Sequence, residues 1–154
     1  MSIEIARNYL KNFHKDTEII ELNQSTATVE LAAKALNVIP ARIAKTLSFK
    51  LQDTAILIVA AGDTKIDNRK FKDYFGLKAK MLTPEEVTQY IGHEIGGVCP
   101  FGIKDDIKIY CDVSLQRFET VFPACGSSNS AIELTCNELF EISKSTNWID
   151  VCKF

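Results

Sequence analysis

The chain has 154 residues, a formal net charge of −2 at pH 7, 46% hydrophobic residues and 25% charged residues. This composition is typical of one globular domain and excludes a disordered or fibrous chain. The longest apolar run, 55–61, is far shorter than the roughly 20 residues that cross a bilayer, and the first residues lack a signal-peptide pattern. We therefore expect a single domain over residues 1–154 that is soluble and cytoplasmic and has no membrane partner.

Five cysteines and two histidines give little basis for a disulfide framework or a metal site. The number of cysteines is odd, and they form no Cys-x-x-Cys pair. His14 and His93 have no ligand cluster with zinc spacing around them. We expect reduced cysteines that act mostly as small core residues, no metal and no cofactor.

In chain order, hydrophobic periodicity first predicts an amphipathic helix over 3–13, a strand over 17–22 and a helix over 28–36. Two strands over 43–51 and 55–60 follow, joined by a turn at 52–53. A helix over 67–75 is predicted to end at Gly76, which is a usual residue after a helix C-terminus. A strand is predicted over 78–82.

Two capping-box motifs predict where the remaining helices begin. Thr83-Pro84-Glu85-Glu86 opens a helix to about 90, and Thr135-Cys136-Asn137-Glu138 opens one to about 143. Strands are predicted over 107–112, 120–124, 131–134 and 148–152. Neighbouring strands and interspersed helices indicate an α+β fold with a mixed, mostly antiparallel sheet. No Gly-x-Gly-x-x-Gly or phosphate loop is present, which disfavours a doubly wound nucleotide-binding fold.

The segment 96–102, with sequence Gly-Gly-Val-Cys-Pro-Phe-Gly, is richer in glycine than a simple turn requires. Glycines allow main-chain amides to approach a ligand closely, as in an oxyanion hole. An irregular connection between a helix and a strand is the alternative interpretation.

Lys45 lies inside an apolar strand, where alternation predicts that it shares a face with Ile43, Leu47 and Phe49. An unpaired ammonium on a core face is costly, so the side chain either reaches solvent at the strand end or projects into a polar pocket. In a pocket it would bind phosphate or a developing negative charge.

Other candidate groups are weaker. The loop 125–130, Cys-Gly-Ser-Ser-Asn-Ser, offers hydroxyls and amides, or is a tight turn. Asp112 either orients Lys45 or caps the helical turn that follows it. No Gly-x-Ser-x-Gly elbow is present, and Cys99 with His93 is the one conceivable nucleophile and base pair.

Positive charge is concentrated between Arg42 and Lys80, where nine basic residues face four acidic ones. This segment carries +5 and the rest of the chain −7. Such asymmetry indicates a phosphate-binding surface, or a solvated lysine-rich helix face. The low net charge argues against nonspecific nucleic-acid coating, and we expect no DNA partner.

Taken in order, several segments resemble the YbaK/EbsC family, which includes the editing domain inserted in bacterial prolyl-tRNA synthetases. The segments are 25–33 (STATVELAA), 43–47 (IAKTL), 96–102 (GGVCPFG), 112–115 (DVSL) and 125–134 (CGSSNSAIEL). The resemblance spans nearly the whole chain. It implies a mixed, barrel-like sheet surrounded by short helices, in agreement with the element pattern.

The resemblance implies hydrolysis of the ester of a mischarged aminoacyl-tRNA carrying a small amino acid such as cysteine, alanine or serine. A catalytic role is implied for Lys45, which precedes Thr-Leu as in the family, and for Gly97 and Gly102 of the glycine-rich segment. Substrate binding is implied for Thr28, Thr46, Gly96, Cys99, Pro100, Asp112, Gly126, Ser127 and Asn129. Arg42, Arg69, Lys70 and Lys72 are the expected tRNA-contacting surface, and a synthetase is an expected additional partner.

The chain departs from the family in the loop that follows the predicted strand 120–124. Cysteine-specific members tend to have Ser-Gly-Gly at Ala124, Cys125 and Gly126, and Asn129 replaces a histidine or glycine of some members. The amino acid removed is therefore left open. A non-catalytic module that binds the aminoacylated tRNA end, and a Cys99-dependent thioester or peptide hydrolase, remain as alternatives.

Overall fold

The structure is a computed structural model that describes residues 2–93 and 95–154. Within these residues, five short helices surround the strands. The helices are α1 (Ser2–Lys11), α2 (Val29–Leu36), α3 (Asn68–Phe75), α4 (Pro84–Tyr90) and α5 (Cys136–Ile142). Single 3-10 turns cover Asp16–Glu18, Pro40–Arg42 and Val113–Arg117.

The strands form one curled six-stranded sheet, a half-barrel, and two small pairs. They are β1 (Ile20–Glu21), β2 (Ile43–Leu51), β3 (Thr54–Ala61), β4 (Lys65–Ile66), β5 (Lys108–Asp112), β6 (Thr120–Pro123), β7 (Ser130–Ala131), β8 (Leu134–Thr135), β9 (Trp148–Ile149) and β10 (Cys152–Lys153). The order in the main sheet is β8-β6-β2-β3-β5-β9. The β2–β6, β3–β5 and β5–β9 pairs are parallel, and the other pairs, β1–β7 and β10–β4 included, are antiparallel. The predicted mixed α+β fold is confirmed.

Local sequence signals explain where the helices begin. Both predicted capping boxes are present, with Thr83 and Thr135 each accepting from the N–H of the third helical residue. Thr28 caps α2, and Asp67 caps α3, which ends at Gly76 in the left-handed conformation. These caps satisfy main-chain donors that a helix would otherwise leave unpaired.

The long hairpin β2–β3 is the centre of the sheet, and its two faces pack against different helices. Leu57 and Val59 face a core built with α1, α4 and α5. Phe49, Ile56 and Ile58 face a second core that includes Phe71 of α3. A third cluster packs Ala32 and Ala33 of α2 against Ile43 and Phe122.

Four strand predictions were wrong in extent. The predicted strand 131–134 is two short strands, β7 and β8, which lie in different sheets. Residues 78–82 form no ladder, and one isolated bridge joins Met81 to Phe49. The predicted strand 148–152 is two strands in different sheets, because the Val151 N–H donates to the Asp112 carboxylate instead of continuing the ladder. The predicted strand 17–22 is a 3-10 turn followed by β1.

Candidate active site

The outer edge of β2 is interrupted at Thr46. β6 pairs with this edge at Ile43 and Ala44 only. Farther along, the Leu82 N–H donates to the Ser48 carbonyl and the Lys50 N–H to the Lys80 carbonyl. Main-chain groups of successive residues point to opposite edges of a strand, so Thr46, two residues before Ser48, directs its N–H and C=O to the same side as Ser48. No described residue pairs with them there.

A cleft of about 470 Å³ lies at this interruption. Its walls come from the segment before α2, from β2, from residues 81–87, from residues 95–98 and from β6 and β7. Most lining side chains are apolar, and Met81 and Ile95 are exposed at 57% and 64%. A mostly apolar concavity with a few polar groups is the usual form of a small-ligand site.

Lys45 is the one lysine or arginine among the described residues that line the cleft. Its half-buried ammonium donates to the Thr64 carbonyl, and no described carboxylate lies within ion-pair distance. Burial lowers the pKa of Lys45 from its ordinary value, while Asp63 and Glu30 act more weakly in the opposite direction. The positive charge is thus held at the cleft without neutralisation by a neighbouring carboxylate.

Two threonine hydroxyls of the cleft have no hydrogen-bond partner. Thr26 is 7% exposed, and its Oγ1 is buried, as is the Oγ1 of Thr46. Thr28 also lines the cleft, but its hydroxyl accepts from the Leu31 N–H and so caps α2. Ser130 lines it as well, and its hydroxyl is paired with that of Ser127.

The first part of the glycine-rich segment borders the cleft. Gly96 has φ +89 and lies against Ala27 and Ser128, where a Cβ would be 3.2 Å from the Ala27 Cβ. At Gly97 a Cβ would be 2.5 Å from the Ser127 nitrogen. Glycine at position 97 therefore allows segments 96–98 and 126–128 to touch, and Gly97 supports the cleft from behind instead of lining it.

The second part of that segment turns into the core. Cys99 is fully buried, and desolvation raises the pKa of its thiol to about 12. Its Sγ is 3.5 Å from His93 Nε2, which lies 2.8 Å from the Phe101 carbonyl. Pro100 lines a separate cavity of about 140 Å³, and Gly102 packs against α1, where a Cβ would be 2.6 Å from Ile5 Cγ2. Cys99, Pro100 and Gly102 do not line the cleft, contrary to the expectation for the segment as a whole.

Asp112 has a structural position. One carboxylate oxygen accepts from the Ser114 N–H at 2.9 Å and the other from the Val151 N–H at 2.9 Å. Of the two interpretations of Asp112, capping is confirmed. Asn129 is exposed, and it joins the loop 125–130 to β1 because its side-chain amide donates to the Leu22 carbonyl at 3.0 Å.

The expected tRNA-contacting residues are divided between paired and exposed side chains. Arg42 donates to Thr120, pairs with Glu133 at 3.3 Å and lies over the Phe122 ring. Lys70 pairs with Asp150 and donates to the Cys152 carbonyl. Arg69 and Lys72 are exposed on α3. Their contact with tRNA stays a prediction.

Sequence patterns missed part of the cleft. Thr26, Ser130, Met81 and Ile95 were not candidates, although Thr26 and Ser130 lie inside segments that carried the family resemblance. No local pattern shows that a hydroxyl will lack a partner, because that depends on residues distant in sequence.

Fold and cleft together define a small α+β protein with a mostly apolar cleft at the edge of its central hairpin, and comparison with known proteins identifies its family. A family model described as an aminoacyl-tRNA editing domain matches residues 23–142. The chain belongs to this family, and the YbaK-type resemblance is confirmed.

Three relatives illustrate the similarity. The uncharacterized protein YwhH of Bacillus subtilis is 56% identical, covering 99% of this chain and 98% of that protein. A proline–tRNA ligase of Lactiplantibacillus plantarum is 31% identical over 72% of this chain and 20% of the ligase. A crystal structure of a proposed trans-editing enzyme for prolyl tRNA synthetase matches with a TM-score of 0.88 and 27% identity, covering 99% of this chain and 98% of that one.

No helix in the part of the chain that the structure describes is long and apolar enough to span a membrane.

Proposed function

We propose that this chain is a trans-editing hydrolase that cleaves the ester of a small, wrongly attached amino acid on tRNA in the cytoplasm. The observation that carries the proposal is the half-buried Lys45 ammonium, which forms no ion pair with a described carboxylate and lies beside the interrupted edge of β2, in a chain of the aminoacyl-tRNA editing family. The similarity to proline–tRNA ligases makes tRNA-Pro the first substrate to test. Residues 1–154 act as one editing unit in this proposal.

The reaction adds water to the aminoacyl ester. The water oxygen attacks the carbonyl carbon, the bond from that carbon to the ribose oxygen breaks, and the ribose oxygen takes up a proton. In this proposal the ribose hydroxyl next to the ester accepts the water's proton and passes its own to the departing ribose oxygen, so the step uses no titratable side chain of the cleft. An aminoacyl ester is already reactive, and positioning with stabilisation of the oxyanion supplies most of the required acceleration.

Lys45 and the main chain of Thr46 are suited to bind the reacting groups. The Thr46 N–H, unpaired at the strand edge, is a donor for the carbonyl oxygen on which charge develops, and its C=O is an acceptor for the substrate's α-ammonium. Lys45 adds positive potential to the oxyanion or to the terminal phosphate. The main chain of Gly96 and Val98 is a second source of donors in the same cleft.

Binding of tRNA involves the exposed basic side chains of α3, Arg69 and Lys72, in this proposal. A chain with net charge −2 has modest intrinsic affinity for a polyanion, and a synthetase partner would increase the local concentration of charged tRNA.

A second function, binding of the aminoacylated tRNA end without hydrolysis, is favoured by the absence of a general base among the described cleft residues. The Cys99-dependent hydrolase is disfavoured because the thiol is buried, its pKa is raised to about 12 and it does not line the cleft.

Deacylation of tRNA-Pro charged in turn with alanine, serine, cysteine and proline tests the proposal. We expect enzyme-dependent release of at least one small amino acid and little release of proline. Tight binding of charged tRNA without release, by wild-type protein that retains its fold, would support the binding module and refute the hydrolase.

A further inference from the structure

Two unpartnered hydroxyls distinguish the cleft from the rest of the protein. Only three buried side-chain nitrogen or oxygen atoms of the described residues lack a partner: Thr26 Oγ1, Thr46 Oγ1 and His93 Nδ1. His93 does not line the cleft, whereas both threonines do. The unsatisfied hydroxyls therefore occur together in the candidate active site.

Several other buried hydroxyls of the described residues are paired. Thr64 Oγ1 donates to the Ala61 carbonyl at 2.7 Å, and Ser114 Oγ accepts from the Ala61 N–H at 3.2 Å. Ser130 is paired with Ser127, and Ser143 with Ser145, both at 2.7 Å. A buried hydroxyl without a partner is destabilising, so a pair of them on cleft residues indicates that a ligand completes their hydrogen bonds. Both oxygens are closed to solvent in this structure, so each threonine side chain must rotate about its Cα–Cβ bond to reach that ligand.

The groups common to every aminoacyl ester have other partners in the cleft. The α-ammonium needs an acceptor, and the Thr46 carbonyl at the open strand edge is one. The ester carbonyl needs a donor, for which the Thr46 N–H and the Lys45 ammonium are available. The threonine hydroxyls are thus available to bind the side chain of the amino acid, which is the part that differs between substrates.

We propose that Thr26 and Thr46 select a hydroxylated amino acid, serine or threonine, over alanine and cysteine. A substrate hydroxyl donates to one threonine oxygen and accepts from the other, which alanine cannot do and a thiol does poorly. This inference rests on the proposed editing function, because it concerns the same cleft. A site built around a substrate hydroxyl discriminates strongly against the analogue that lacks it.

The experiment compares serine, alanine and cysteine on one tRNA with four proteins: wild type, Thr26→Val, Thr46→Val and Thr146→Val. Valine keeps the shape of threonine and removes the hydroxyl. Thr146 is exposed and outside the cleft, and its variant controls for the substitution itself. We expect wild type and the control to deacylate the serine ester at least about 10-fold faster than the alanine ester.

In Thr26→Val, the serine rate should fall about 10-fold while the alanine rate changes less than about 2-fold. In Thr46→Val, whose main chain also binds the reacting groups, the ratio of the serine rate to the alanine rate should fall about 10-fold. Equal losses on all three esters would overturn the inference, because the hydroxyls would then contact a group that every substrate shares. Wild-type preference for alanine or cysteine would overturn it without any variant. A melting curve for each protein identifies a variant that fails to fold, and the wild-type comparison remains decisive in that case.

A binding experiment distinguishes an error in this inference from an error in the proposed function. Amide-linked seryl- and alanyl-adenosine cannot be hydrolysed as esters, and their affinities are measured by calorimetry. Tighter binding of the seryl compound, lost in Thr46→Val, supports hydroxyl recognition even if no ester is cleaved. Equal affinities, together with efficient ester hydrolysis, refute the specificity and leave the editing function intact.

Discussion

Replacing Lys45 by methionine removes the positive charge of the cleft and keeps most of the aliphatic stem. A unit charge about 4 Å from a developing oxyanion, at an effective dielectric constant of about 20, contributes about 4 kcal/mol. Loss of one preorganised donor in such a site costs about 2.7–4 kcal/mol. We therefore expect Lys45→Met to lower the deacylation rate by about 10²–10³-fold.

Protein stability should change little in Lys45→Met. The Thr64 carbonyl loses its donor, which costs about 0.5–1.5 kcal/mol, while a partly desolvated charge is also removed. Because burial lowers the pKa of Lys45, protonation of this group is less favourable in the folded than in the unfolded chain. This cost is fully present below the folded pKa and disappears as pH rises towards the unfolded value. Any gain in Tm from Lys45→Met should thus be largest near neutral pH.

The assay measures single-turnover deacylation of mischarged tRNA alongside a melting curve on the same preparation. Lys108→Met is the matched control, because it removes the same charge from an exposed lysine on β5 that does not line the cleft. Lys45→Arg should not restore full activity, because the planar guanidinium is larger and directs its donors differently. A folded Lys45→Met protein with wild-type activity would refute the assignment of Lys45.

Three further predictions concern groups outside the cleft. Cys99→Ala should keep most deacylation activity, and an acyl-enzyme trapped on wild-type Cys99 would contradict this. Above about pH 9, the free energy of unfolding of the variant should fall less steeply than that of wild type. The reason is that the buried Cys99 thiol, with a pKa of about 12, stays protonated in the folded chain but ionises when the chain unfolds. The double variant Arg69→Glu and Lys72→Glu should bind tRNA more weakly and with a smaller salt dependence, while its hydrolysis of a minimal aminoacyl ester should not change. Lys70 is left intact because it pairs with Asp150. Unchanged binding at low salt would show that tRNA contacts another surface. Thr83→Ala should lower the free energy of unfolding by about 1 kcal/mol in denaturant titration through loss of the α4 cap, and an unchanged value would mean that the cap contributes nothing.

Local signals predicted the longest elements well. The β2–β3 hairpin was expected over 43–51 and 55–60 and occupies Ile43–Leu51 and Thr54–Ala61. Helix starts at the two capping boxes were also confirmed. Such features depend on residues close in sequence, so periodicity and capping chemistry suffice to find them.

Short strands were predicted poorly because their pairing depends on distant residues. β7 pairs with β1, and β10 pairs with β4, each through two residues only. The break between β9 and β10 depends on Asp112, which lies 39 residues before Val151 in the sequence. A hydrophobic pattern does not show that a distant carboxylate will accept the hydrogen bond of a main-chain N–H that would otherwise pair with a neighbouring strand.

The candidate site was predicted in part for the same reason. Alternation singled out Lys45 as a lysine on an apolar strand, and the structure shows that it lines the cleft, while its role stays a prediction. The glycine-rich segment looked like one functional unit, but Gly96 faces the cleft while Cys99 and Phe101 are buried in the core. Spacing along a chain does not show where an irregular segment changes direction.

The interruption at Thr46 connects the fold to the proposed chemistry. β6 leaves the edge of β2 after Pro123, and its chain continues through a bridge from Ala124 to Ala131. Residues 80–82 take over the edge only from Ser48 onwards. Thr46, next to Lys45, is therefore left with its main-chain N–H and C=O available at the cleft. If a neighbouring strand continued along this edge, it would pair with those groups. Because the donor, the acceptor and the ammonium are held by the central hairpin, they are positioned before any substrate binds, which is what electrostatic stabilisation of a transition state requires.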